Sequence, residues 1–235
     1  IRMETVLKQG LPKQHNTLLN HCYKYRNNLK LSGKKKVLLF YNYLSSFVKK
    51  DINILSSGFN VESNNFYSPG KLQMPLKWLA QCLFLAKYIW GADLIICQFA
   101  VYHSLLPVIA ARLLRRPCLV IVGSTDAHYF PGIGYGNWQK RFLKTFTSLT
   151  FKWCTHIAPK HKTLMEFNYT YDYTEPQQQG IYARLPKLKT PFTEITNGYD
   201  AEKWRCNAEK KENTFLTITL GWEYSFQYAL KGIDL

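Results

Sequence analysis

The segment from Gly91 to Gly136 constrains the fold of this chain more than any other part of the sequence. Two short apolar runs, Leu94 to Cys97 and Cys118 to Val122, are typical of strands that are buried on both faces of a sheet. Between them the sequence predicts a helix with Ser104 as its cap and Pro107 in its first turn. Strands joined by a helix in this way are parallel and the connection is right-handed, so the segment predicts an α/β fold.

A membrane-spanning helix is the competing interpretation of this segment, because Leu94 to Ala111 carries no formal charge. A span needs about 20 mostly apolar residues. Gln98 and His103 interrupt the run, and Asp93 and Arg112 bound it closely. The sequence therefore favours a strand and a helix over a span.

The rest of the chain continues the alternation of strands and helices up to residue 206, which predicts a Rossmann-like, doubly wound parallel sheet. The boundaries that we predict are a basic N-terminal extension over residues 1–35, an α/β domain over 36–206 and a linker over 207–213. A new strand begins after the linker, so residues 214–235 are predicted to start a second α/β domain.

Apolar periodicity also predicts which helix faces are buried. In the helix predicted over residues 44–59, the inward residues are Phe47, Ile52, Leu55 and Val48. The helix from residue 72 to 90 is predicted to be packed on most sides, through Leu72, Leu76, Leu79, Leu83, Ala86 and Trp90, with Trp78, Cys82, Leu85 and Ile89 widening that face. A helix capped by Asn137 and ending at Trp153 is predicted to bury Trp138, Phe142, Phe146, Leu149 and Trp153. Its basic residues Lys140, Arg141 and Lys144 indicate a solvated face, or else contact with a membrane surface.

Charge and cysteine content narrow the classes of function. The formal net charge is +16, from 31 Lys and Arg against 15 Asp and Glu, and such a field favours anionic partners. A specific nucleic-acid-binding protein is disfavoured because the sequence has no recognisable helix-turn-helix, RRM or zinc pattern. The six cysteines form no Cys-x-x-Cys pair, so no metal site is predicted. Cys82, Cys97 and Cys118 are expected to be buried thiols in a reducing, cytoplasmic compartment.

The candidate site lies where the strands of the central segment end. In open α/β sheets, ligands bind beyond the carboxyl ends of the strands. Gln98 to His103 and Gly123 to Tyr135 are predicted to occupy that edge. The three glycines between Pro131 and Gly136 do not match the dinucleotide fingerprint and indicate a turned loop.

Four short motifs in this order carry a resemblance to a known family. They are Gly123-Ser124-Thr125-Asp126 at a strand end, the loop from Pro131 to Gly136, the turn Asn197-Gly198-Tyr199-Asp200 and the final Leu230-Lys231-Gly232-Ile233-Asp234-Leu235. Together with the order of elements from Lys36 to Leu235, they resemble family 4 glycosyltransferases of the GT-B fold. That resemblance implies two Rossmann-like domains that face each other, an amino-terminal one for the acceptor and a carboxy-terminal one for the nucleotide-sugar.

The resemblance implies roles for particular residues. Asp126 and His103 are the candidates for holding the acceptor hydroxyl during catalysis. The substrate-binding candidates are Gly123, Ser124, Thr125, His128, Tyr135 and Asn197. Gly221, Lys231 and Gly232 are expected to bind the donor diphosphate, since a lysine beside free N–H groups neutralises such charge. Where the family often has Gly-Arg after the first strand of its second domain, this chain has Gly221-Trp222.

The function expected from the resemblance is transfer of a sugar from a nucleotide-sugar to a glycan or lipid-linked acceptor, as in polysaccharide biosynthesis. Members of the family generally retain the anomeric configuration and use no bound metal or other cofactor. The chain stops at Leu235, before the paired-glutamate motif of the donor site, so we expect it to be inactive alone. A peripheral location at the inner face of a membrane is expected. A non-catalytic module of the same fold and a sugar-nucleotide epimerase are the alternatives.

Overall fold

The structure is a computed structural model that describes residues 34–68, 70–198 and 212. The described chain is an α/β domain built on a five-stranded sheet with the strand order β2-β1-β3-β4-β5. All four pairings between neighbouring strands of this sheet are parallel. The Rossmann-like α/β architecture predicted from the sequence is therefore confirmed.

The strands of the sheet are short and the helices between them are longer. The strands are β1 (Lys36–Tyr41), β2 (Asn60–Asn65), β3 (Leu94–Gln98), β4 (Cys118–Val122) and β5 (His156–Pro159). The helices are α1 (Ser46–Gly58), α2 (Met74–Tyr88), α3 (Leu105–Leu113), α4 (Ser124–Ala127) and α5 (Arg141–Trp153). Beyond β5 lie a two-stranded antiparallel pair, β6 (Phe167–Asn168) with β7 (Gln178–Gln179), and the one-turn helix α6 (Ile181–Arg184).

The sheet is covered on both faces, and alternate residues of each strand point into two separate cores. Leu38 and Phe40 of β1 belong to the larger core, which α2, α3 and α5 cover, whereas Leu39 of the same strand belongs to the core under α1. The direction of the crossovers explains this, because β1 to β2 runs one way along the sheet and each later crossover runs the other way. The apolar runs predicted as two-sided strands are thus buried on both faces.

The predicted face of α1 is wrong in part. Val48 is the buried residue of this helix, with Ile52 and Leu55 packed beside it, whereas Phe47 is 41% exposed. Phe47 turns toward the carboxyl edge of the sheet, where its ring meets that of Phe99. Phe47 therefore lies at the candidate site and not in the core.

The predicted packing of α2 is wrong in part, because Leu85 and Ile89 are buried as predicted but most of the predicted stripe is not. Gln81, Leu85 and Ile89 are buried, whereas the apolar stripe from residue 72 to 90 faces solvent on the opposite side. Cys82 of this helix is exposed, although Cys97 and Cys118 are buried as predicted. The helix exists where the periodicity predicted it, but the periodicity did not identify the side that meets the sheet.

The helix that was predicted from Asn137 begins instead at Arg141, after a separate turn over Asn137–Gln139. Its buried residues are Leu143, Thr147, Thr150 and Phe151, and Phe142 is 74% exposed. Phe146 and Trp153 are only partly buried. Two buried threonines within the face explain the error, because polar residues were assigned to the solvated side.

The chain after β5 returns to the sheet edge. Phe192 forms a parallel bridge with Ile157, and Ile195 N donates to Pro159 O at 2.9 Å. The segment predicted as a strand over residues 192–196 therefore pairs with β5, although it does not form a regular strand. Residues 1–33, the linker over 207–213 except Glu212, and residues 214–235, including Gly221, Lys231 and Gly232, lie outside the described residues.

The segment proposed as an alternative membrane span, Leu94 to Ala111, is divided between β3, a loop and α3. In the described part of the chain, every helix is too short or too polar to cross a bilayer.

Candidate functional site

A cavity of about 520 Å³ opens at the carboxyl edge of the sheet, within the size range of small-molecule sites. The loops after β1, β3, β4 and β5 all contribute to it, through Asn42, Phe99, Gly123 to Asp126, and Lys160. Strand β1 is the point at which the strand order reverses, because its neighbours β2 and β3 are reached in opposite directions. The cavity, which we call the cleft, therefore lies at the switch point where open α/β sheets bind ligands.

An aromatic wall forms one side of the cleft. Phe99 follows β3 directly and has φ of 70°, a left-handed conformation that is uncommon for a bulky residue. Its ring packs edge-to-face on Phe47 at a centroid distance of 5.7 Å. A Cβ on Gly123 would lie 2.5 Å from a ring carbon of Phe99, so a larger residue there requires the Phe99 ring to shift. Strained residues of this kind cluster at functional sites, where the surrounding structure holds them.

Hydroxyl and imidazole groups lie at the rim of the cleft, on α4 and the loop that follows. Ser124 Oγ lies 2.9 Å from His128 Nδ1, and Thr125 Oγ1 lies 3.2 Å from the Tyr135 hydroxyl. Burial lowers the pKa of His128, so its imidazole is neutral at pH 7. These groups offer both donors and acceptors, which is what a polyhydroxylated ligand requires.

Lys160 supplies a positive charge in the lining of the cleft. It follows β5, and its Nζ lies 4.0 Å from Asp51 Oδ2 on α1. The same carboxylate oxygen accepts a 2.5 Å hydrogen bond from Gln98 Nε2. Asn197 also lines the cleft, and the adjacent Gly198 carbonyl accepts from Lys50 Nζ at 2.8 Å.

Asp126 is 1% exposed and both of its carboxylate oxygens bind backbone groups. Oδ1 accepts from Gly123 N and Oδ2 from Ala100 N, each at 2.8 Å. Burial raises the pKa of Asp126 to about 7, although those backbone N–H groups act in the opposite direction. The carboxyl group therefore ties the loop after β3 to the end of β4.

His103 is fully buried, and its Nε2 donates to Gln98 O at 2.7 Å. Burial lowers the pKa of His103 to about 4, and Gln98 O acts weakly in the opposite direction. Gln81 Nε2, from the inner side of α2, donates to His103 O at 2.9 Å. His103 lines a second, neighbouring cavity and does not line the cleft with Asp126.

Buried polar groups hold the loop from Phe99 to Ser104 from several sides. Ala100 O accepts from Thr147 Oγ1 at 2.6 Å, while Ala100 N donates to Asp126. Ser104, predicted as a side-chain cap, instead donates from Oγ to Val101 O at 2.6 Å. Each of these bonds satisfies a polar group that would be costly to bury alone, and together they fix the strained Phe99.

The structure brings together most of the residues that the sequence predicted for the site. Those lining the cleft are Gly123, Ser124, Thr125, Asp126 and Asn197. His128 and Tyr135 reach its rim through Ser124 and Thr125, whereas His103 lies elsewhere. Sequence reasoning missed Phe47 and Lys160, and it placed Phe99 at this edge without giving it a role in the site. Lys160 could have been found by the rule that identified Gly123, since both follow a strand, but an aromatic residue in a left-handed conformation gives no sequence signal.

Among residues 34–68 and 70–198, no group of three or more His, Cys, Asp or Glu side chains is arranged to hold a metal ion. No protein-family model, curated protein or solved structure matches the chain.

Proposed function

We propose that the described domain is the acceptor-binding half of a retaining glycosyltransferase of the GT-B type, which transfers a sugar from a nucleotide-sugar to a glycan or lipid-linked acceptor. The observation that carries the proposal is the cleft at the switch point of the sheet, which is lined by aromatic rings and by hydroxyl groups. Aromatic faces pack against the apolar faces of sugar rings, while hydroxyl and imidazole groups bind their hydroxyls.

In this proposal Ser124, Thr125, Tyr135 and His128 bind the acceptor, and the neutral His128 is able to accept a proton through the Ser124 hydroxyl. Lys160 attracts an anionic group of either substrate. Asp126 and His103, which the sequence suggested as catalytic, become positioning residues, because both oxygens of Asp126 and Nε2 of His103 bind backbone groups of the loops that form the site.

The test is sugar transfer by the intact protein from a panel of radiolabelled nucleotide-sugars to glycan and lipid acceptors. Thr125→Val removes a hydroxyl at the rim without changing side-chain volume, and we expect kcat/KM to fall by about tenfold, the value of one lost hydrogen bond to substrate. Thr145→Val is the matched control, since Thr145 is exposed on α5 and only bonds its own helix.

Two results would replace this proposal by its alternatives. Donor turnover that does not require any acceptor would indicate a sugar-nucleotide epimerase of related fold. Sugar binding in the cleft without turnover of any donor by the intact protein would indicate a non-catalytic binding module.

A further inference from the structure

Five large apolar side chains along one side of α2 and its flanking turns are exposed to solvent. They are Leu72, Leu76, Leu79, Leu83 and Trp90, with exposed fractions between 58% and 95%. We call this set the leucine face. Monomeric proteins rarely expose a contiguous apolar patch of this kind without a function for it.

The spacing of the leucine face is helical, and the opposite side of α2 buries Gln81, Leu85 and Ile89 against the sheet. The helix is therefore apolar on both sides, although the described part of the chain covers only one of them. Helices that are apolar all round occur in protein interiors or in contact with lipid. The outer side of α2 thus has the composition of a surface that is buried against an apolar partner or an apolar phase.

The charges around the leucine face are positive. From residue 71 to 90 the sequence contains Lys71, Lys77 and Lys87 and no Asp or Glu. Lysine stems can lie along apolar surface while the ammonium group stays in a polar layer. The exposed Lys87, one turn after Leu83, therefore places a cation at the margin of these apolar anchors.

The neighbouring helix extends the same character. Trp78 of α2 stacks on Phe146 of α5 with the ring centroids 5.9 Å apart, so the two helices meet at these two rings. One turn before Phe146, the exposed Phe142 stands between the basic residues 140–141 and 144. An exposed aromatic ring among cations has the same chemistry as Trp90 beside Lys87.

We propose that α2 lies in the interface of an anionic lipid bilayer, with the leucine face inserted at the boundary between headgroups and acyl chains. Amphipathic surfaces with Leu and Trp on one side and lysines at the edge bind membranes in this orientation. Trp90, at the end of the helix, takes the interfacial position that tryptophan prefers. The inference concerns a surface outside the cleft and does not rest on the proposed function.

Charge complementarity decides between lipid and the other possible occupants. A second copy would bring another net charge of +16 against a surface that is itself basic. Residues 1–33 are also basic, with Arg2, Lys8, Lys13, Lys24, Arg26 and Lys30 against Glu4. An anionic bilayer supplies both the apolar interior and the opposite charge.

The experiment is co-sedimentation of the full chain with vesicles of phosphatidylcholine alone or mixed with phosphatidylglycerol. Leu83→Ser is expected to lower the partition coefficient into mixed vesicles by about tenfold, and Leu79→Ser with Leu83→Ser by about a hundredfold. Ile54→Ser is the matched control, because Ile54 is 63% exposed on α1 over the opposite face of the sheet. Its binding is expected to equal that of the wild type.

Thermal unfolding of each variant checks the fold, which should be unchanged because the replaced side chains are exposed. Three results would overturn the inference: no binding of the wild type to mixed vesicles, equal binding of Leu83→Ser and wild type, or a dimer in sedimentation velocity that Leu83→Ser dissociates. The last result would assign the leucine face to a second copy of the chain.

Discussion

At the scale of single residues, the buried polar side chains explain the shape of the site. Asp126 and His103 attracted attention as titratable residues at strand ends, where catalytic groups are common. Both oxygens of Asp126 accept from Gly123 N and Ala100 N, and His103 Nε2 donates to Gln98 O; these backbone groups belong to the loops that line the cavities. His103 Nδ1 is buried without a hydrogen-bond partner among the described residues. Sequence reasoning thus identified the edge of the sheet at which the cleft opens, but it could not distinguish an exposed polar group from one that binds the backbone of a loop.

The first prediction concerns Asp126→Asn. Asparagine keeps the shape but presents an NH₂ group to one of the two backbone N–H donors, leaving that donor unsatisfied in a buried position. We expect the free energy of unfolding to fall by about 1–3 kcal/mol, measured by urea denaturation. Asp93→Asn is the control, because Asp93 is exposed and accepts only from Lys36 N. An Asp126→Asn protein of normal stability that loses more than tenfold in kcat/KM would restore a direct role in catalysis.

The second prediction is a dependence of stability on pH at His103. Burial lowers the pKa of His103 to about 4 in the folded chain, whereas the pKa is about 6.5 in the unfolded chain. Between these two pH values the unfolded chain binds a proton at His103 and the folded chain does not. Wild-type stability is therefore lost relative to His103→Gln as pH falls through this window, by up to about 3 kcal/mol.

Chemical denaturation at several pH values between 4 and 7 measures this difference. The comparison with the variant is needed because the raised pKa of Asp126 has the opposite effect: its contribution to stability is lost as pH rises from about 4 to about 7. His161→Gln, at an exposed position, is the control for the exchange itself. A constant stability difference between wild type and His103→Gln across this range would exclude a buried, neutral imidazole.

At the scale of elements, the sequence predicted the strands and helices better than their orientation. The strands β3 and β4 agree with the apolar runs to within one residue, because a short run buried on both faces has no other arrangement in an α/β protein. Helix α2 was predicted from its period, but a helix that is apolar on both sides gives no indication of its inner face. Gln81, the polar residue that points inward, does so because His103 O needs a donor.

The third prediction tests the approach of β3 and β4 at the aromatic wall. In Gly123→Ala the new methyl group would meet the Phe99 ring at 2.5 Å, and Phe99 is itself held at a positive φ. We expect a loss of about 1–3 kcal/mol in the free energy of unfolding, and weaker ligand binding in the cleft as the ring moves.

Gly58→Ala is the matched control for this substitution. Gly58 ends α1 and no atom lies within 4 Å of a Cβ built there, so the added methyl group costs no packing. Its free energy of unfolding should be unchanged or higher by a few tenths of a kcal/mol, because alanine restricts the unfolded chain. Equal stability of the two alanine variants would show that Phe99 moves aside freely and that the wall is not rigid.

At the scale of the whole molecule, the second cavity extends from the cleft to α2, which carries the leucine face, and to α5. The second cavity shares Asn42 and Val101 with the cleft and reaches Met74 at the start of α2 and Leu143 on α5. A lipid-linked acceptor bound with its polar group in the cleft would thus have its apolar chain near these helices. The structure of the chain beyond β5 was harder to predict from the sequence. Its strands have only two residues each, and they depend on side-chain hydrogen bonds such as those between Gln179 and the backbone of Tyr129.

The last prediction separates the basic residues of α5 from the net charge of the chain. Each lysine near an anionic surface contributes about 1 kcal/mol, so Lys140→Gln with Lys144→Gln should weaken binding to mixed vesicles by about 30-fold at low salt. At physiological ionic strength charge attraction is screened within about 8–10 Å, so the affinities of variant and wild type should approach each other as salt rises. The binding that remains at high salt is expected to depend on Leu83.

The control is Lys187→Gln with Lys189→Gln, which lowers the net charge by the same amount at exposed positions between α6 and Phe192. This double variant should bind like the wild type. Equal weakening by the two double variants would mean that membrane attraction depends on the total charge and not on the surface that α5 shares with the leucine face.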